Sequence, residues 1–241
     1  MPVTTKADSV SADILRKIVR GDLAEGALLP KAEDLAEDYG VNRSVVREAI
    51  KSLEVQNLVQ PRKRRGTEVL DPATSFSAAV MSAMLLPEGE ADGHVDLDVL
   101  KDFLEIRAVL DTQMAMLAAV NRTAEDIVDL EAGLEVARAA LDDPQSYSDA
   151  ITRLSLTVAS ATGNRIFPML VHWHGRVQGD LEELLLVVRR PGPAHLQGIE
   201  ILVGLIIAQN TQAITSLLAQ FHAWAIPQLL DAAARRNGDT P

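Results

Sequence analysis

Apolar positions recur every three or four residues over most of this chain, and the interruptions mark its organisation. Between Leu28 and Val69 the pattern changes quickly. Asp34 to Tyr39 reads as one short helix, and Gly40 and Val41 as a tight turn. Asn42 then stands where a helix N-cap belongs, because its side chain can accept a backbone N–H that the first turn leaves open. Val45, Val46, Ala49, Ile50 and Leu53 follow at spacings near three and four and predict a buried face. Arg43, Ser44 and Arg47 occupy the first two turns of the other face. After Leu58 and Val59 comes Pro61-Arg62-Lys63-Arg64-Arg65-Gly66-Thr67, a basic turn between two short apolar runs, which predicts a β-hairpin. Helix, turn, capped helix and basic hairpin, in that order within about 45 residues, predict a winged helix-turn-helix.

A boundary is expected near Asp71 to Ser75, followed by a short helix over Phe76–Leu86 and an acidic connector from Pro87 to Gly93. Beyond Val95 the period is helical throughout. Six helices are predicted: Leu97–Val120, Ala124–Leu141, Ser146–Ala161, Arg165–Val188, Ala194–Ala208 and Thr211–Ala234. Turn-forming clusters separate them, among them Asp142-Asp143-Pro144, Gly163-Asn164 and Arg190-Pro191-Gly192-Pro193. The expected fold is therefore mainly α: a winged helix-turn-helix followed by an all-α antiparallel helical bundle. The domains fall at 1–73, a linker at 74–95, a helical domain at 96–236 and a disordered tail at 237–241.

Charge sharpens this picture through its distribution. The chain of 241 residues carries a net charge of −11, which taken whole argues against nucleic acid. Residues 1–73 hold twelve basic and twelve acidic residues, so the entire excess of acid lies beyond them. Within Asn42–Gly66, Arg43, Arg47, Lys51, Arg62, Lys63, Arg64 and Arg65 face only Glu48 and Glu54. That local excess is the footprint expected of a phosphate contact, and the acidic remainder would confine contact to one face. The absence of cysteine excludes disulfides and thiol chemistry. The first ten residues lack the apolar run of a leader peptide. The greasiest stretch, Ile199–Ala208, is too short to span a bilayer, so a cytoplasmic protein that does not engage membranes is expected.

Val10 to Val69 resembles the GntR family of bacterial transcription regulators. The resemblance rests on Leu29-Pro30, on Val41-Asn42-Arg43-Ser44-Val45-Val46-Arg47-Glu48-Ala49-Ile50, and on Leu53 and Gly66-Thr67 beyond. It implies that Arg43, Ser44 and Arg47 contact DNA and that the Arg65-Gly66 wing tip enters the minor groove. Asn42, Lys31, Arg62, Lys63 and Arg64 complete the expected DNA-binding set. One position departs from the family pattern. Where family members usually carry Arg, three residues after the proline, this chain has Glu33, with Lys31 two positions away. An acid there would repel phosphate, so operator sequence or affinity should differ from the family norm.

The C-terminal region resembles the helical FCD ligand domain of the FadR-type branch, on Phe103-Leu104-Glu105-Ile106-Arg107 with Asp111, Leu117-Ala118-Ala119 and Ala161-Thr162-Gly163-Asn164. Leu100, Leu104, Arg107, Asp111, Met114 and Ala118 form one stripe facing the bundle core. A charge in such a stripe must be satisfied. Two readings of Arg107 stand: an i,i+4 pair with Asp111, or a planar fork for the carboxylate or phosphate of a ligand, with Gln113 as a second polar contact.

Many members of the branch bind a divalent ion through an Asp and three His. Those positions fall here at Ile151, Ser155, about Ile199 and Phe221, none of the expected ligand type, although Asp149, Glu200 and His222 lie close by. No cofactor or metal is therefore expected. His172 and His174, two apart, point about 200° apart on a helix and do not form a chelating pair. His172, Trp173, His174 and Arg176 either line a pocket or lie on a solvated face. His195 begins a helix and is expected to be exposed, and Trp224 is expected to pack in the core. The effector-binding set is then Arg107, Asp111, Ser155, His172, Arg176 and His222, around a cavity made more apolar by the lost ligands, suited to an acyl or aromatic compound.

The sequence thus predicts a regulator, not an enzyme: it carries no nucleophile–base pair, Gly-rich phosphate loop or HExxH motif. It would bind a palindromic DNA operator as a homodimer, because one helix and wing read too few base pairs. A metabolite in the bundle would bias the spacing of the two DNA domains through the 71–95 segment and release DNA, as a repressor does. The alternative is an effector-independent regulator whose bundle serves only dimerisation.

Overall fold

The computed structural model describes residues 5–89, 93–179, 181–189 and 192–238. The chain divides into two compact units, one running to Asp96 and the other starting at Leu97.

The first unit is built from α1 (Lys6–Val19), α2 (Ala32–Asp38), α3 (Arg43–Val55), the strands β1 (Val59–Arg62) and β2 (Gly66–Val69), and α4 (Ala78–Leu85). Thr5 and Asp8 form a capping box that starts α1, each side chain bonding the other's backbone N–H. Val10, Ile14 and Ile18 of α1 meet Val46, Ala49 and Leu53 of α3 in one buried cluster. Tyr39, just past α2, donates its hydroxyl to Asp13 of α1 at 2.6 Å and accepts from Lys17 at 3.1 Å. That network ties the turn before α3 to the first helix. Strands β1 and β2 pair antiparallel with Val59 opposite Val69 and Arg62 opposite Gly66. The Leu28-Leu29 segment runs beside β2, with the Leu29 N–H donating to Thr67 O at 2.8 Å. The leucine of the Leu-Pro pair is thereby anchored to the hairpin.

Residues 74–95, expected from the sequence to be a linker, do more than connect. Ser77 caps α4, whose Val80 and Ala83 join the same core as α1 and α3. Arg20 reaches Glu88 at 2.9 Å. A core contributed by both sides of position 73 makes this segment part of the first unit. Residues 90–92 of the expected acidic connector lie outside the described residues.

The second unit is a helical bundle: α5 (Leu97–Asn121), α6 (Ala124–Ala139), α7 (Pro144–Ala161), α8 (Ile166–Gly179), α9 (Glu182–Arg189), α10 (Pro193–Ile207) and α11 (Thr211–Arg236). The long α5 packs against α7, α10 and α11, and α6 against α7 and α10. Ala115, Ala118, Leu154, Val158, Val203, Ile206, Ile214 and Leu218 form the main core. Starts are set locally: a Thr123–Asp126 capping box, Pro144 and Pro193 in first turns, and Asn210 accepting from Ala213 N. Arg122 donates to Ile207 O, where α10 runs out of intrahelical donors.

The sequence predicts one helix over Arg165–Val188, but the structure has two, α8 and α9, with Leu181 in a turn between them. Their apolar periods run together, so periodicity alone carries no signal of the break. Asp180 and the Arg190-Pro191 part of the next predicted turn lie outside the described residues, as do 1–4 and 239–241. Of the expected tail, Asn237 instead caps α11.

Candidate nucleic-acid interface and effector cavity

Asn42 sits in extended backbone before α3 and accepts from the Val45 N–H at 3.0 Å. It also accepts from the Ser44 hydroxyl at 2.6 Å. With Val46, Ala49 and Leu53 fully buried, α3 is locked in rotation, and Arg43, Ser44 and Arg47 are held on its exposed face. Val45 and Ile50, expected in the buried face, are half-buried at its margin. Lys31 is exposed at the start of α2.

The hairpin places Lys63, Arg64 and Arg65 at its tip, all exposed. Arg64 adopts φ 64°, and Gly66 φ 120°, a conformation that side chains with a Cβ rarely take. The Arg65 N–H donates to Arg62 O at 3.0 Å and closes the turn. Two cations of this face are engaged in ion pairs. Arg62 pairs with Glu68 across the hairpin, and Arg43 Nη1 lies 3.0 Å from Glu33 Oε1.

In the second unit, α5, α7, α9, α10 and α11 line a half-open cavity of about 460 Å³. Its wall is mostly apolar. Ile151, Leu154, Ile199, Leu202, Phe221 and Trp224 contribute to it. Polar groups gather where α5 meets α11. Arg107 Nε donates to Asp111 Oδ2 at 3.2 Å, and His222 Nε2 lies 3.8 Å from the same oxygen. Arg107, Asp111 and Ser155 also line a smaller adjoining cavity of about 90 Å³. Both readings of Arg107 therefore hold geometrically: it is paired within its helix and it faces a cavity.

Four of the six expected effector residues, Arg107, Asp111, Ser155 and His222, line the main cavity. His172 and Arg176 do not; both are exposed on α8 and line neither space. The same α8 turns His174 into the smaller cavity, so the two-residue offset sends His172 outward. Gln113 is exposed as well. His195, expected at the surface, lines the main cavity, with Nδ1 2.7 Å from the hydroxyl of buried Tyr147. His195, Gly198, Ile199 and Leu202 share one helical stripe, but the stripe does not by itself say whether it meets a neighbour, a cavity or solvent. Trp224, expected in the core, lines the cavity and is 52% exposed.

Ile151, Ser155, Ile199 and Phe221, the positions where the resemblance places metal ligands, all face this one cavity. Their chemistry does not suit a divalent ion. Three are hydrocarbon, and the Ser155 hydroxyl donates to Ile151 O at 2.9 Å. Of the nearby alternatives, Asp149 is exposed and bonded to Gln145, and Glu200 pairs with Arg138. Among the described residues, no cluster of three or more His, Asp or Glu could hold a metal.

A capped, exposed basic helix beside a cationic hairpin, followed in the chain by a helical bundle with a half-open cavity, defines a DNA-binding regulator of the winged helix-turn-helix class with a sensing domain. Residues 6–69 match the family described as bacterial regulatory proteins, gntR family, and residues 102–223 match the FCD domain. The chain belongs to the GntR family and carries an FCD effector-binding domain; it is a transcription regulator, as are the relatives it matches, and not an enzyme.

An uncharacterized HTH-type transcriptional regulator of Mycobacterium tuberculosis is 32% identical over 178 residues, covering 74% of this chain and 70% of the relative. The HTH-type transcriptional regulator LutR of Bacillus subtilis is 30% identical over 155 residues, covering 64% and 67%. Across such relatives the matched stretch spans from 47% to 70% of the relative's own length. The fold is similar to the solved structure of Lar, described as controlling expression of the Listeria monocytogenes agr system. That match has TM-score 0.60 and 19% identity, and covers 95% of this chain and 98% of the other.

Proposed function

We propose that this protein is a cytoplasmic, FadR-type regulator that binds a palindromic operator as a homodimer and is released by a metabolite held in the bundle cavity. The observation that carries the DNA part is the rotational locking of α3. Buried Val46, Ala49 and Leu53 leave Arg43, Ser44 and Arg47 exposed on α3, in the same unit as the exposed Lys63–Arg65 tip. Base-edge reading would fall to Arg43, Ser44 and Arg47, and phosphate contact to Lys31, Arg62, Lys63, Arg64 and Arg65, with Gly66 permitting close approach. Asn42 would act by capping α3.

The effector part is supported by the cavity, which also favours sensing over a bundle used only for dimerisation. A mostly apolar wall with Arg107, His222 and Ser155 at one end suits an acyl or aromatic compound carrying an anionic or hydrogen-bonding head. Asp111 would hold the Arg107 side chain in place. His195, bonded to Tyr147, would add a further polar contact. No metal is given a role.

Gel shifts over a range of salt test the DNA reading on duplexes from the promoter regions of the protein's own genome. Arg47→Ala should lose about 1–3 kcal/mol of discrimination between operator and random duplex. Arg64→Ala should weaken all duplexes alike and flatten the log–log salt slope by about 0.9. Equal losses on operator and random DNA for Arg47→Ala would refute its base-reading role.

A further inference from the structure

We infer that Glu33 is a positioning and specificity-determining residue that acts through Arg43, converting it from a general phosphate contact into an aimed reader of base edges. The inference rests on the DNA-binding role proposed for α3. Glu33 lies in the first turn of α2 and Arg43 at the first position of α3, and their Oε1 and Nη1 atoms stand 3.0 Å apart. Both side chains remain largely open, 46% and 63% exposed, so the pair sits on the outer surface where DNA would arrive.

The fold does not require this pair. Leu35, Ala36 and Tyr39 already seat α2 against α1 and α3, and an exposed ion pair adds little stability. The Arg62–Glu68 pair differs in kind, because it joins neighbouring strands of one hairpin and is explained by strand pairing. Among the described residues, no ion pair engages Arg47, Lys51, Lys63, Arg64 or Arg65. The carboxylate on α2 therefore acts on one cation of the helix face and spares the others.

Two consequences follow from the chemistry. A guanidinium whose Nη1 lies against a carboxylate keeps its Nε–Nη2 edge open to donate in parallel, the geometry that matches two acceptors on a guanine. The neighbouring negative charge also cancels the attraction of Arg43 for phosphates of any sequence. Glu33 thereby lowers random binding and raises discrimination together.

The test uses the full-length protein and an operator selected by the wild type from a randomised duplex pool, with affinity for operator and random duplex measured across salt. Glu33→Gln keeps the size and removes the charge. It should tighten random binding, steepen the salt slope by about 1, and lower the operator-to-random ratio roughly threefold or more. In an Arg43→Ala background, Glu33→Gln should leave that ratio unchanged, because the group it orients is gone. A ratio unaffected by Glu33→Gln, or reduced equally with and without Arg43, would overturn the inference while leaving the DNA-binding reading intact. A Glu33 that only favours the start of α2 would lower the melting temperature and leave the ratio alone, which would overturn the inference equally. A wild type that selects nothing from the pool would overturn both.

Discussion

Asn42 shows how much one side chain can set. Its Oδ1 accepts from the Val45 N–H and from the Ser44 hydroxyl, so it both starts α3 and fixes an exposed neighbour. Asn42→Ala should cost about 1 kcal/mol of stability, read as a lower melting temperature, and should lower operator affinity beyond that through Ser44. Unchanged operator binding would remove Ser44 from the contact set. Capping depends on three or four consecutive residues, which is why this role is legible in the sequence. The positions of His172, His174 and His195 are not local in that sense. Which of them faces a cavity depends on the phase of each helix against its neighbours, and single histidines carry little amphipathic signal.

At the scale of elements, the α1–α2 network has a pH signature. Burial raises the Asp13 carboxyl, but the Tyr39 hydroxyl and Lys17 more than offset it, so it titrates below its ordinary range. A group depressed on folding stabilises fully above its unfolded value of about 3.9 and loses that contribution as pH falls through the folded value. Lys17, raised by its Tyr39 and Asp13 bonds, contributes below its unfolded value of about 10.4 and loses that contribution as pH rises through the folded one. Tyr39→Phe should cost about 0.5–1.5 kcal/mol near neutrality, and the gap from wild type in thermal melts should narrow below about pH 4. A gap that widened with acid would contradict the network. In the sequence Tyr39 is legible only as the end of a short helix, since its partners lie 22 and 26 residues earlier. The α8–α9 break is hidden for a similar reason, because both helices bury apolar residues without a change of period.

At the scale of the whole chain, charge and cavity divide the work between two units. The cationic face lies wholly in the first unit, and the excess acid beyond residue 73. The second unit holds the cavity, whose wall has hydrocarbon at three of the four positions expected of metal ligands and the Ser155 hydroxyl at the fourth. A thermal-shift series should then show stabilisation by acyl or aromatic anions and none by manganese, nickel or zinc. Saturation at about a hundred times Kd adds about 2.7 kcal/mol, several degrees for a chain of this size. Arg107→Ala should abolish the ligand shift. Stoichiometric metal in elemental analysis of purified protein, or a shift with metal alone, would overturn the apolar reading of the cavity.

The sequence by itself determined what depends on neighbours a few residues apart. It set the capped α3, the basic hairpin between two short apolar runs, the starts of most bundle helices, and the identity of Ile151, Ser155, Ile199 and Phe221 at the positions where the resemblance places metal ligands. Tertiary structure alone decided what depends on helix phase and long-range approach. It placed α4 in the core of the first unit, split α8 from α9, turned His195 and Trp224 into the cavity and His172 and Arg176 away from it, and brought Glu33 to Arg43. Local bonding is written in adjacent residues, whereas the facing of two helices is settled only when their buried sides compete for one core.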